Sequence, residues 1–128
     1  MATELRVRWS EMDAQGVVFN ANYLMYADVA VTEFMRANGI MTECREDFGQ
    51  TFVVDAHLSF RASARFDDLL SLAVTCDRIG TSSYVLKVEI SRAGEVLCVA
   101  DMTYVRAVDG TSVALSEGFR ERLAFGGS

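Results

Sequence analysis

From Phe52 to Tyr104 the chain alternates apolar and polar residues almost without a break, and few folds can accommodate so much uninterrupted strand. Phe52, Val54, Ala56, Leu58, Phe60, Ala62, Ala64 and Phe66 fall on one side of an extended chain. Asp55, His57, Ser59, Arg61, Ser63 and Arg65 fall on the other, the period-two pattern of one long strand. Leu70, Leu72, Val74 and Cys76 repeat the pattern, as do Tyr84, Leu86, Val88 and Ile90 after Gly80. Val96, Cys98, Ala100, Met102 and Tyr104 follow the Arg92-Ala93-Gly94 turn. These four runs predict an antiparallel meander with one apolar face in need of a cover. Leu97, Val99 and Val105 make the second face of the last strand apolar too, which implies a partner subunit.

Only one segment has the length and period to supply that cover. Tyr23, Tyr26, Ala27, Ala30, Val31 and Phe34 recur at helical spacing, and Asn38-Gly39 offers a left-handed stop. Met25, Val29 and Met35 lie outside that stripe, so the helix is expected to be covered on more than one side. Leu5, Val7 and Trp9 alternate with Arg6, Arg8 and Ser10 as a first strand, and residues 40–50 read as a less regular linker. Asp109-Gly110 turns the chain, and Ser116 can cap a short final helix through Leu123. The economical arrangement is α+β: one domain over residues 1–128, its antiparallel sheet wrapped around a long central helix. Only the first few residues and the Gly-Gly-Ser tail have no reason to be ordered.

The 12 basic residues are outnumbered by 18 acidic ones, and a net charge of −6 argues against nucleic acid as a partner. Lys87 is the only lysine, so the positive charge is almost all arginine, which suits phosphate or planar recognition. Cys44, Cys76 and Cys98 show no CxxC spacing and His57 is the only histidine, so neither a disulfide framework nor a metal site is expected. No GxSxG elbow accompanies that histidine, which disfavours a serine hydrolase. With no signal-like apolar core and no run near the roughly 20 residues of a membrane span, a soluble, unprocessed cytoplasmic protein is expected.

The chemistry is concentrated in EMDAQGVVFNANY, Glu11 to Tyr23, just ahead of the helix. An aspartate in such a place often only caps backbone N–H groups of a turn. It can also act on a carbonyl whose developing oxyanion is held by N–H groups of the helix start. Gly16 permits a tight turn or close approach of a substrate. DAQGVVFNANYLMYAD, followed by VTEFMRANGI, resembles the hotdog-fold acyl-CoA thioesterases of the clade that includes 4-hydroxybenzoyl-CoA thioesterase. LSFRASARFDDLL and RIGTSSYVLKVEISRAGEVLCVADMTYVRAVDG extend the resemblance over nearly the whole chain.

The resemblance implies a hotdog fold, a homodimer or homotetramer with its active site at a subunit interface, and hydrolysis of an aryl- or alkyl-CoA to free acid and CoA with no cofactor. The clade's catalytic carboxylate falls on Asp13, and the backbone N–H implied as oxyanion donor falls on Asn20, where many relatives carry histidine or tyrosine. Val18, Phe19, Tyr23, Tyr26 and Phe60 are candidate acyl-group contacts, the aromatic ones fitting equally well in a core. Arg61 and Arg65, at i and i+4 with Ser59 and Ser63 between them, could meet CoA phosphates or pair across a subunit boundary. Ser82 and Ser83 sit in a turn that aligns loosely with a nucleotide-contacting one. Glu33 is read as a surface partner of Arg36, Asp28 as structural or site-orienting, and His57 as a surface or interface residue. Two alternatives stand beside this reading. One is a thioesterase acting on carrier-protein thioesters, for which an acidic chain is a poor electrostatic match, and the other is a non-catalytic acyl-CoA-binding module.

Overall fold

The computed structural model describes residues 2–126. β1 (Ala2–Arg6) passes through a 3-10 turn at Trp9–Glu11 and an irregular loop into α1 (Ala21–Ala37). Two short helices, α2 (Ile40–Glu43) and α3 (Arg45–Gly49), precede β2 (Thr51–Phe60), β3 (Leu69–Ile79), β4 (Ser83–Arg92) and β5 (Glu95–Val108). β6 (Thr111–Ser112) and α4 (Glu117–Gly126) complete the chain. The stretch expected to be a plain linker is thus helical in two pieces, while the first residues are tied into the sheet as β1. The end of the tail lies outside the described residues.

α1 forms where the period predicts and buries Tyr23, Tyr26, Ala27, Ala30, Val31, Phe34 and Met35. Gly39, at φ 82°, takes the left-handed conformation that stops it. The helix packs on β3, β4 and β5, whose inward row includes Leu70, Leu72, Val74, Tyr84, Leu86, Val88, Ile90, Cys98, Ala100, Met102 and Tyr104. Of the three residues outside the stripe Met35 is fully buried as expected, but Met25 is exposed and Val29 half-buried, so part of the far side of α1 is open in the single chain. α4 begins as predicted, with the Ser116 Oγ accepting the Phe119 N–H at 3.3 Å, but it continues past Leu123.

The strands run in the order β1-β3-β4-β5-β2, all neighbours antiparallel, with β6 also paired to β5. Only β3-β4-β5 is the predicted meander. Their β4–β5 hairpin closes through Ala93 and Gly94 at φ 49° and 84°, left-handed values that a two-residue turn needs. β2 crosses to the far edge, beside β5, and this overturns the expected four-strand order. It also ends at Phe60 instead of reaching Phe66, and a bulge between Val53 and Asp55 inverts its facing. Val53 therefore lies opposite inward-facing Tyr104, while Phe52 lies opposite Val105 on the outer face. One added residue moves every earlier side chain to the other side of the sheet.

Two further expectations fail for local reasons. Trp9 is not a strand residue; it sits in the 3-10 turn, 73% exposed, with its ring edge-to-face on Phe66. Leu97 does not face a partner, because a second bulge between Ile90 and Ser91 leaves it opposite no β4 residue and it is fully buried. Val99 is buried as well, so of that trio only Val105 is even half-open. The large exposed apolar side chains are instead Phe52, Val53, Val54 and Phe60 on β2, Leu24 and Met25 on α1, Trp9, Phe19, Phe66 and Leu69, and Val108 and Phe125 toward the end of the chain.

Candidate active site

Residues 11–19 form a loop whose two limbs are bonded to one another. Met12 and Val18 make an antiparallel bridge, the Asp13 N–H donates to the Val17 carbonyl at 2.9 Å, and the Phe19 N–H donates to the Glu11 carbonyl at 3.0 Å. Inside it the Gly16 N–H donates to the Asp13 carbonyl at 3.1 Å, a turn that puts Gly16 at φ 77°. A Cβ there would meet nothing within 4 Å, so this position calls for glycine through its backbone angle and not through crowding.

Asp13 is half-buried at the tip of this loop. Its Oδ1 accepts the Gln15 N–H at 2.8 Å, the turn-capping bond of the structural reading. Oδ2 has no hydrogen-bond partner among the described residues. Asp13 also lines a cleft of about 360 Å³ with Trp9, Met12, Gly16, Arg65 and Phe66. The capping bond therefore orients a carboxylate that still faces a cavity, and the two readings of Asp13 coexist.

The loop runs straight into α1. Asn20 already has helical angles, φ −53° and ψ −40°, and its side chain caps nothing. The Asn22 N–H donates to the Phe19 carbonyl and the Tyr23 N–H to the Asn20 carbonyl, whereas the N–H groups of Asn20 and Ala21 make no backbone hydrogen bond among the described residues. Two donors at the positive end of a 17-residue helix are thus available to a developing anion.

The other candidates divide. Val18, Tyr23 and Tyr26 are buried to 2% exposure or less and pack within the core of this chain. The rings of Tyr23 and Tyr26 lie edge-to-face on one another in that core. Phe19 and Phe60 are exposed, Phe60 lying edge-to-face on Tyr23. Arg61 and Arg65 do not share a strand face, because both follow the end of β2; Arg65 reaches the Asp13 cleft and Arg61 is exposed elsewhere. Ser82 and Ser83 lie at the β3–β4 turn, where the Ser82 carbonyl accepts the Arg106 N–H. β1 pairs Arg6 with Leu69, at the opposite end of β3. At about 3.3 Å per residue the serines are roughly 30 Å from the Asp13 loop, so one chain does not bring them together. Glu33 pairs with Arg36 as expected. Asp28 is exposed beside a second cleft of about 420 Å³, lined also by Ala21 at the helix start and by Leu24, Met25, Val53 and Met102. His57 is exposed on β2 opposite Asp101.

Two acids around the cleft carry more structure than their sequence neighbours reveal. Glu11 is 3% exposed; its carboxylate accepts the Arg8 N–H, the Arg8 Nε–H and the Tyr26 hydroxyl at 2.8, 2.7 and 2.9 Å. Burial works to raise its pKa, but the Arg8 and Tyr26 donors outweigh that and hold the carboxyl below its ordinary value. Asp68 accepts the Arg65 N–H and Arg92 Nη1 at 2.8 and 2.7 Å, which fixes the segment that carries Arg65 and Phe66. Here too burial raises the pKa and the arginine and backbone donors more than reverse it. Glu11 stood inside the singled-out stretch, yet nothing in its spacing separates it from a solvated acid.

The thioesterase superfamily model matches residues 15–99, from just past Asp13 through α1 and into β5. A relative from Aquifex aeolicus (strain VF5) is 22% identical over 119 residues, covering 92% of this chain and 93% of its own length. Among solved structures, a 1,4-dihydroxy-2-naphthoyl-CoA thioesterase from Synechocystis superposes with a TM-score of 0.83 at 20% identity, over 95% of this chain and 93% of that one. A 4-hydroxybenzoyl CoA thioesterase mutant complexed with 4-hydroxybenzoyl CoA superposes with a TM-score of 0.86 at 20% identity, over 96% and 97%. At such identities the likeness is one of fold, the hotdog, and it covers the helix and all of the long strands. With the family model spanning well over half of its length, the chain belongs to the thioesterase superfamily and is a hotdog-fold thioester hydrolase.

Proposed function

We propose that the protein is an acyl-CoA thioesterase that releases CoA and a free aryl or alkyl acid, with Asp13 as base or nucleophile and the start of α1 as oxyanion site. The observation that carries this is the placement of Asp13 in a cleft, on a loop bonded across its base and continuous with the helix tip, where the Asn20 and Ala21 N–H groups have no backbone partner among the described residues. A thioester carbonyl bound between that cleft and the helix tip would develop its negative charge toward those donors, each worth about 3 kcal/mol of barrier in comparable sites. Asp13 either takes a proton from the attacking water or attacks the carbonyl itself, giving an anhydride that water then opens. Collapse of the tetrahedral species expels a thiolate, which near neutral pH needs little protonation to leave because thiol pKa values lie at about 8.5. An asparagine at position 20, with no acid to offer, suits that leaving group. The reaction so described uses no metal and no organic cofactor.

Phe52, Val53 and Val54, exposed on edge strand β2, support a homodimer or homotetramer. Three free cysteines, and the absence of any described helix long and apolar enough to cross a membrane, fit a cytoplasmic setting. The test is thiol release from a panel of aryl- and alkyl-CoA thioesters by wild type and Asp13→Asn, with matched carrier-protein thioesters as a parallel arm. Wild-type turnover by the variant would remove Asp13 from the reaction. Acyl-CoA binding without thiol release over hours would mark a binding module, and a preference for the carrier-protein esters would change the substrate class.

A further inference from the structure

We propose that Glu11 is a positioning residue for this reaction: through Tyr26 it sets where the Asp13 loop stands relative to the tip of α1. The inference rests on the role given above to Asp13. Glu11 is one of two buried charged residues among those described, and it is bonded to the 3-10 turn, to the end of the loop at Phe19 and to α1. Its carboxylate holds the 3-10 turn through Arg8 and α1 through the Tyr26 hydroxyl, which lies fully buried on the helix. Its carbonyl accepts the Phe19 N–H and also Asn22 Nδ2 at 2.9 Å, on either side of Asn20. Asp13 follows two residues later in the chain. Asp13 and the helix-tip N–H groups are therefore referenced to one residue, by its carboxylate and its carbonyl together, and a displacement of order 1 Å between reacting groups is enough to cost roughly 100-fold. Burial and the adjacent Glu11 charge both favour the protonated Tyr26 hydroxyl, so it remains a donor.

Glu11→Gln retains the shape and one acceptor oxygen but loses the charge, and its amide nitrogen accepts nothing, so either the Arg8 Nε–H or the Arg8 N–H and the Tyr26 hydroxyl lose their acceptor. Tyr26→Phe cuts only the link to the helix and leaves Arg8 in place, so it serves if Glu11→Gln fails to fold. Asp47→Asn is the control: it removes the other buried carboxylate, which accepts the Ser116 N–H at the start of α4, away from the cleft. On the acyl-CoA that wild type hydrolyses fastest, well below each melting temperature, kcat is expected to fall roughly 10- to 100-fold in Glu11→Gln and in Tyr26→Phe. KM should stay within about threefold, and the double variant should lose no more than the worse single, the non-additivity of one coupled pair. Asp47→Asn should melt earlier with wild-type kcat. Wild-type kcat in Tyr26→Phe, additive losses in the double variant, or an equal kcat loss in Asp47→Asn would each overturn the proposal. Asp13→Asn measured alongside separates the two readings. If it is inactive while Glu11→Gln turns over normally, only the positioning role falls; if it is fully active, the Asp13 reading falls and takes the positioning role with it.

Discussion

The hydroxyl of Tyr23 accepts the backbone N–H of Ala64 at 2.8 Å, while the Ala64 carbonyl accepts the Val18 N–H at 2.9 Å. One residue of the β2–β3 connection is thereby fastened on both sides to the segment that carries Asp13 into α1. Arg65 and Phe66, the next two residues, form the opposite wall of the Asp13 cleft. The buried Tyr23 thus helps to hold the two walls of the site together.

Tyr23→Phe keeps the ring packed against Tyr26 and Phe60 but leaves the Ala64 N–H buried without a partner. That should cost about 1–3 kcal/mol, several degrees of melting temperature in a chain of this size. Thermal denaturation followed by circular dichroism checks it, and an unchanged midpoint would mean that the bond contributes nothing.

Gly16→Ala should destabilise by roughly 1–2 kcal/mol through the backbone alone, because the new methyl meets nothing while φ 77° is unfavourable for it. Gly16→Asn should be milder, since asparagine tolerates left-handed angles. Denaturant midpoints of the three proteins should fall in the order glycine, asparagine, alanine.

Acid should loosen the cleft. Glu11 and Asp68 have folded-state pKa values below their ordinary 4.5 and 3.8, so each contributes stability in full above those values. That contribution is lost as pH falls through the lower folded values, because the unfolded chain takes up the protons first. Unfolding free energy measured from pH 7 downward should therefore drop below about pH 4.5, more gently in Asp68→Asn than in wild type. Parallel curves for the two proteins would contradict the assignment to Asp68.

Val54 is 59% exposed at the bulge of edge strand β2, so Val54→Asp should cost the isolated chain little. If β2 pairs with a second copy, the variant should shift toward monomer in sedimentation velocity with its circular dichroism spectrum intact. A wild-type protein that already sediments as a monomer would contradict the homo-oligomer.

The alternation in β3, β4 and β5 and the helical period of α1 are local properties, set by which side of each element must leave water, and they were legible residue by residue. So were the stop at Gly39, the cap at Ser116 and, through the resemblance, the loop that carries Asp13. What period alone could not show was which strands become neighbours. β2 reads like the first member of a meander, yet it lies beside β5, and the Val53/Asp55 bulge turns Phe52 outward although its spacing matches Ala56. Trp9 and Leu97 were misread for the same reason: a 3-10 turn and a bulge each break a two-residue repeat without altering the residues that write it. The role of Glu11 was hidden because its partner Tyr26 lies 15 positions along the chain and meets it only when the helix seats in the sheet. The sequence by itself determined the helix, most faces of β3, β4 and β5 and the candidate carboxylate, since periodicity and side-chain chemistry are written locally. Only the tertiary structure decided strand order, register and the buried bonds that hold Asp13 beside the helix tip, because those depend on contacts between residues far apart in the chain.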